Sequence, residues 1–213
     1  MSGHAHYREA HPLVFVITHY INLICMIMLA FSGFYIHFPF FDGFMGVARG
    51  MHFVAMYVII INLTFRIIAA FFVKTAVQLG TREVDTDIKN WLPQAENKHQ
   101  FLETVKYYLF FRKEGVISAK YGSLQKIAYL ATIPLTYLQA YTGFAIYGPT
   151  MDWGFFAGGI DMVGGPMNMR IIHYFGMWIF IVFTMIHAYL ANIYNLNPSK
   201  IIFLWKETDV KGH

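Results

Sequence analysis

Apolar residues run almost unbroken through four stretches of this chain, and polar residues collect between them. A hydrocarbon core needs roughly 20 apolar residues to be crossed by a helix. The stretches cover residues 13–36, 49–73, 127–147 and 171–194. The first, third and fourth carry no Lys, Arg, Asp or Glu, and the second is interrupted by Arg49 and Arg66 alone. One such stretch can be a buried soluble helix; four in 213 residues predict four membrane spans. The first is too long for the apolar region of a signal peptide. It runs into Phe38-Pro39-Phe40-Phe41, which reads as an aromatic anchor after an uncleaved helix.

Charge then orients the spans. Lys74, Arg82, Lys89, Lys98, Lys106, Arg112, Lys113, Lys120 and Lys126 lie in the segment between the second and third stretches, and Lys200, Lys206 and Lys211 lie in the tail. The other two connections offer only Arg49 and Arg170. An excess of Lys and Arg marks the cytoplasmic side, so both termini and the segment 74–126 are expected there. Within that segment, residues 101–111 read as an amphipathic stretch, lying in the interface or forming a soluble cytoplasmic helix. The expected fold class is all-α: an integral membrane four-helix bundle, with residues 1–213 as one domain.

Composition narrows the chemistry. Charged residues are 13% of the chain, where a soluble domain carries roughly 25%. Cys25 is the single cysteine, which excludes a disulfide framework, a cysteine-held iron–sulfur cluster and a thioether-linked haem. Ten histidines in so apolar a chain require an explanation, and four of them, His19, His52, His173 and His187, lie inside predicted spans. Ionisable residues at membrane depth mark functional sites.

His187 follows His173 by fourteen positions. At 3.6 residues per turn this is about four turns, so both project from nearly one face, ~21 Å apart along the axis. Each then has a partner at its own depth: His19 matches His187 toward the cytoplasm, and His52 matches His173 toward the other side. Two imidazole pairs at two depths suit two bis-histidine haems wrapped by apolar helices. A zinc site fits poorly, because four ligands so separated make no tetrahedral centre. The same register places Gly33 on the ligand face at the depth of the second pair, leaving room for a porphyrin edge. It places Arg66 on the ligand face at the cytoplasmic depth, either pairing with a haem propionate or snorkelling to the interface. Gly176, with Met177, Phe180 and Thr184, shares the face between the fourth-span histidines and is expected to pack against haem.

Several runs resemble a known family: Thr18-His19-Tyr20 with Ser32-Gly33; Arg49-Gly50-Met51-His52-Phe53; Lys120 to Lys126; Thr142-Gly143-Phe144; and Arg170-Ile171-Ile172-His173-Tyr174-Phe175-Gly176-Met177-Trp178 ending in His187-Ala188-Tyr189. They resemble the di-haem b-type cytochrome subunits of membrane-bound nickel–iron hydrogenases and the related gamma subunits of formate dehydrogenases. The resemblance implies two haems b, with His19 and His187 on the cytoplasmic-side haem and His52 and His173 on the periplasmic-side one. It implies a bacterial inner-membrane subunit that takes electrons from a periplasmic iron–sulfur small subunit and catalytic large subunit and reduces menaquinone or ubiquinone. The Tyr121 to Gln125 run leans toward the formate dehydrogenase pattern, and Met177-Trp178 toward hydrogenase.

No nucleotide loop or nucleophile–base arrangement is present, so the redox chemistry belongs to the cofactor. Gly122, Ser123 and Gln125, at the entry to the third span, are quinone candidates, with Ser123 as a helix N-cap the alternative. A haem-free transporter using a histidine relay belongs to a different class, and the absence of Asp and Glu from the spans counts against it. A haem-bearing anchor without quinone chemistry is the remaining alternative.

Overall fold

The structure, a computed structural model, describes residues 7–77, 81–91, 102, 106, 111, 123–192 and 196–207, with the side chains of 123–129 and 198 outside that description. The chain is mostly helical. The long helices are α1 (Leu13–His37) and α2 (Met45–Ala70). After α2 come two short strands, β1 (Lys74–Ala76) and β2 (Val84–Thr86), and the one-turn helix α3 (Asp87–Trp91). The long helix α4 (Ser123–Ala145) is followed by the short helices α5 (Gly148–Met151) and α6 (Gly154–Met162). The chain closes with α7 (Pro166–Asn192) and α8 (Asn197–Leu204).

Three helices, α1, α2 and α7, are long and apolar enough to cross a membrane. Helix α4 is 23 residues long, but Pro134 and the polar side chains of Thr132, Thr136, Gln139 and Thr142 dilute its apolar run, and it is not among those three. The residues 101–111 expected to be amphipathic fall largely outside the described residues.

The chain divides into two compact units. The first gathers Met1–Tyr20, Thr64–Thr132 and Tyr189–His213. Here β1 and β2 form an antiparallel hairpin with Lys74 opposite Thr86 and Ala76 opposite Val84. Strands of three residues are too short to show a period of two in the sequence, and no hairpin is legible there. Thr75, Asp87 and Asn90 are buried beneath it, tied by hydrogen bonds from Thr75 Oγ1 to Asp87 Oδ1 (2.8 Å) and from Asn90 Nδ2 to Thr75 Oγ1 (3.0 Å). The chain ends meet through Arg8, whose backbone N–H donates to Glu207 (3.1 Å), while Arg82 pairs with Glu9 (2.7 Å) and Glu207 (3.5 Å).

The second unit comprises Ile21–Leu63 and Ile133–Ala188. Helices α1 and α2 meet over Cys25, Ala55 and Ile59, and Asn62 donates to Asn22 Oδ1 across the same seam at 2.6 Å. Amide pairs of this kind hold membrane helices together because hydrocarbon offers no competing partner. Helices α1 and α7 meet through Phe34 and Trp178 (5.4 Å between ring centres) and through His37 stacked on Tyr174 (4.3 Å). Helices α2 and α4 meet through Tyr57 and Phe144 (5.7 Å). Ala145, Ile160 and Met169 form a further cluster beneath α6. The turn into α7 uses Gly164 and Gly165 at φ +83° and +116°, a left-handed path that a side chain resists.

Candidate functional site

The second unit brings His52 of α2 and His173 of α7 together, edge to face. Their ring centres are 6.2 Å apart, with the ring planes at 64°. Imidazole nitrogens bonded at about 2 Å on opposite sides of one metal ion place their ring centres roughly 6 Å apart. The separation therefore fits one iron between the two rings.

Each ring is held at its Nδ1 by a hydroxyl from another helix. Ser32 Oγ on α1 lies 2.9 Å from His52 Nδ1, and Thr142 Oγ1 on α4 lies 2.9 Å from His173 Nδ1. Each ring also has a glycine against its edge, in the position after the hydroxyl residue. A Cβ on Gly143 would lie 3.2 Å from His173 Cε1, and one on Gly33 would lie 3.6 Å from His52 Cε1 and 3.3 Å from Met177 Sδ. The donor set, the spacing and these two cradles fit a bis-histidine haem. Among the described residues no group of three or more His, Cys, Asp or Glu gathers to hold a metal ion, so the donors here are a pair and not a cage.

Gly33 thus lies beside His52. Gly176 lies against Gln139 of α4. A Cβ there would overlap the Gln139 side-chain amide, and Gln139 Nε2 donates to the His173 carbonyl at 2.8 Å. The missing side chain at Gly176 admits a neighbouring helix's glutamine, a packing role that one-helix periodicity cannot separate from cofactor packing.

Arg66 finds a carboxylate within its own chain. Its Nη2 pairs with Asp87 Oδ2 at 2.7 Å, and its guanidinium carbon lies 3.5 Å from the centre of the Phe15 ring and 5.2 Å from that of Trp91. Asp87 is fully buried and also accepts from Trp91 Nε1 (2.9 Å). The hairpin and α3 deliver this partner from 21 positions away, a contact that the sequence pattern does not show. Among the described residues, none hydrogen-bonds to the buried Arg66 Nη1.

His19 is half-buried on α1 within the first unit. His187, on α7 in the second unit, stacks on Phe183 one turn earlier (5.9 Å, 17°). The quinone candidates fall outside the described residues: Gly122 wholly, Ser123 and Gln125 in their side chains. Ser32, Thr142, Gly143 and Gln139 have no assigned role in the sequence reading. The repeated hydroxyl–glycine pair, Ser32-Gly33 and Thr142-Gly143, is the signal that would have drawn attention to three of them.

Apolar helices long enough to cross a membrane, carrying imidazoles spaced for one iron, define a class: membrane cytochromes of the b type. The chain belongs to the prokaryotic cytochrome b561 family, whose model matches residues 10–201. It is 26% identical over 192 residues to a probable Ni/Fe-hydrogenase B-type cytochrome subunit of Cupriavidus necator, covering 81% of this chain and 74% of that one. A protein of the same name from Azotobacter chroococcum is 28% identical over 193 residues, covering 81% and 75%. The probable Ni/Fe-hydrogenase 1 B-type cytochrome subunit of Escherichia coli K12 is 25% identical over 190 residues, covering 82% and 78%. The chain is accordingly a membrane cytochrome with an electron-transfer role, and its relatives' names point to haem b and a hydrogenase.

Proposed function

We propose that this chain is the di-haem membrane subunit of a nickel–iron hydrogenase, passing electrons from a periplasmic partner to the quinone pool of a bacterial inner membrane. The observation that carries the reading is the His52–His173 pair, with its ring centres 6.2 Å apart and a hydroxyl and a glycine on each ring. In this reading the whole chain is one domain whose four-helix bundle comprises α1, α2, α4 and α7, with both termini cytoplasmic. The side-chain contacts linking α1 with α2, α2 with α4, α4 with α7, and α7 with α1 support that bundle.

His52 and His173 hold the haem on the periplasmic side, and His19 and His187 hold the second one on the cytoplasmic side. The ~21 Å between His173 and His187 along one continuous helix supports two separate depths. Haem, when bound, supplies one-electron redox chemistry. The chain's residues position it, exclude water with apolar helix faces, and neutralise its carboxylates. Arg66 Nη1 would donate to a propionate while Nη2 pairs with Asp87. Gly122, Ser123 and Gln125, at the entry to the third apolar stretch, are the residues that would receive menaquinone or ubiquinone. The partners are the iron–sulfur small subunit and catalytic large subunit, and the relatives' printed names support a hydrogenase over a formate dehydrogenase. Family membership leaves the histidine-relay transporter without support.

The purified protein should show a b-type reduced-minus-oxidised spectrum and about two haems per chain. His187→Ala should remove one haem and abolish quinone reduction. A haem content near zero in the unaltered protein refutes the reading, and one haem per chain refutes its two-depth form.

A further inference from the structure

We propose that Ser32 and Thr142 are positioning residues that lock His52 and His173 in the Nδ1–H tautomer, so that both offer Nε2 to iron. Together they help set the redox potential of the group held there. The proposal rests on the haem reading above and adds to it the nitrogen used and the residues that choose it.

The argument is a proton count. A hydroxyl has one proton to donate and two lone pairs that accept. Ser32 Oγ lies 2.6 Å from the Met28 carbonyl and 3.3 Å from the Leu29 carbonyl, so its proton is directed to the backbone of its own helix. Toward His52 Nδ1, at 2.9 Å, it has only a lone pair to present. That contact is a hydrogen bond only if Nδ1 carries the proton and donates it. Thr142 repeats the arrangement: its Oγ1 donates to the Gln139 carbonyl at 2.9 Å and faces His173 Nδ1 at 2.9 Å. Both hydroxyl residues are buried, so water does not offer a substitute partner. With Nδ1 protonated, the lone pair of each neutral imidazole resides on Nε2.

The following glycines complete the device. Cε1 is the ring carbon between the two nitrogens, and Gly33 and Gly143 lie against it on His52 and His173. The hydroxyl therefore holds one nitrogen while the neighbouring glycine lets the ring edge approach its helix. Two helices carry the same aromatic–hydroxyl–glycine–phenylalanine run, Phe31-Ser32-Gly33-Phe34 on α1 and Tyr141-Thr142-Gly143-Phe144 on α4, and each presents its hydroxyl and glycine to one of the two rings.

Hydrogen bonding by the second nitrogen orients a metal-bound imidazole and raises its basicity as a ligand. A more basic ligand favours ferric over ferrous iron. A hydroxyl is a neutral acceptor, so its effect is smaller than that of a carboxylate. Removing it should raise the potential.

The test uses the full chain in detergent, with the variants Ser32→Ala and Thr142→Ala and the hydroxyl-retaining Ser32→Thr and Thr142→Ser. Potentiometric titration should show the haem component that is lost in His173→Ala shifting upward in the alanine variants. The double alanine variant should favour ferrous iron by about tenfold, which is 59 mV for one electron. The hydroxyl-retaining variants should stay close to the unaltered protein. An unchanged potential in both alanine variants, at undiminished haem content, overturns the proposal. Should the variants fail to fold, pulsed electron paramagnetic resonance of the unaltered ferric protein in H2O and D2O decides. An exchangeable proton on the remote nitrogen of both axial imidazoles is expected, and its absence overturns the proposal. A haem-free unaltered protein refutes the haem reading itself, an outcome distinct from either.

Discussion

Replacing Asp87 with Asn removes one charge and almost nothing else. The amide has the shape of the carboxylate, and its oxygen can still accept from Arg66 Nη2 and Trp91 Nε1, which donate to Oδ2 at 2.7 and 2.9 Å. Its NH2 can meet the Thr75 hydroxyl, which lies 2.8 Å from Oδ1. What is lost is the counter-ion of a guanidinium that is 18% exposed, facing a carboxylate at 0%. Opposite charges about 4 Å apart attract by about 4 kcal/mol at an effective dielectric constant of about 20. Leaving the surviving partner of a buried pair uncompensated costs about 3–5 kcal/mol. The Phe15 and Trp91 rings recover part of this through their contact with the cation, so about 3 kcal/mol is expected for Asp87→Asn.

Two assays separate local from global loss. Protease sensitivity of the β1–β2 hairpin reports the first unit. Thermal unfolding followed by a thiol-reactive dye reports the second, because Cys25 is the single cysteine and is buried. Hairpin cleavage should accelerate markedly, while the Cys25 transition should move less. The double variant Arg66→Met with Asp87→Leu should recover part of the loss, since neither charge is then stranded. An Asp87→Asn protein within about 0.5 kcal/mol of the unaltered one would refute the claim that this pair is energetically buried, since changes of that size are typical of ordinary surface positions.

Two further outcomes follow from distances and charges. Gly143→Ala sets a Cβ 3.2 Å from a rigid imidazole, whereas Gly33→Ala meets first the flexible Met177 thioether at 3.3 Å. Haem per chain should therefore fall more in Gly143→Ala than in Gly33→Ala; equal retention in both would refute the cradle. Acid should loosen the junction of the two chain ends, because the Glu9 carboxyl is held below its ordinary range, chiefly by a backbone hydrogen bond and then by Arg82. A carboxyl depressed in the folded state contributes stability at neutral pH and loses it as pH falls through its folded value. Hydrogen exchange around residues 8–10 should accelerate below the ordinary carboxylate range in the unaltered protein and be already fast in Glu9→Gln.

Hydrophobic run length and the fourteen-residue histidine spacing were readable in one dimension, because membrane thickness and helix rise are fixed quantities that convert residue counts into depths. They supplied the helical class and three of the expected spans as apolar helices. The same conversion says nothing of what a neighbouring helix presents. Gly176 reads as cofactor packing by register, and the structure adds Gln139 of α4 against it. Arg66 reads as a propionate partner or a snorkelling side chain, and the structure adds Asp87, which α3 places against its Nη2.

Sequence alone determined where apolar length and imidazole depth must fall, since both follow from positions along single helices. Tertiary structure decided which hydroxyl meets which ring nitrogen, which glycine yields to which neighbour and which carboxylate answers Arg66. The hydrogen bonds of the site join residues 20 to 34 positions apart across different elements, and only packing brings those partners within reach.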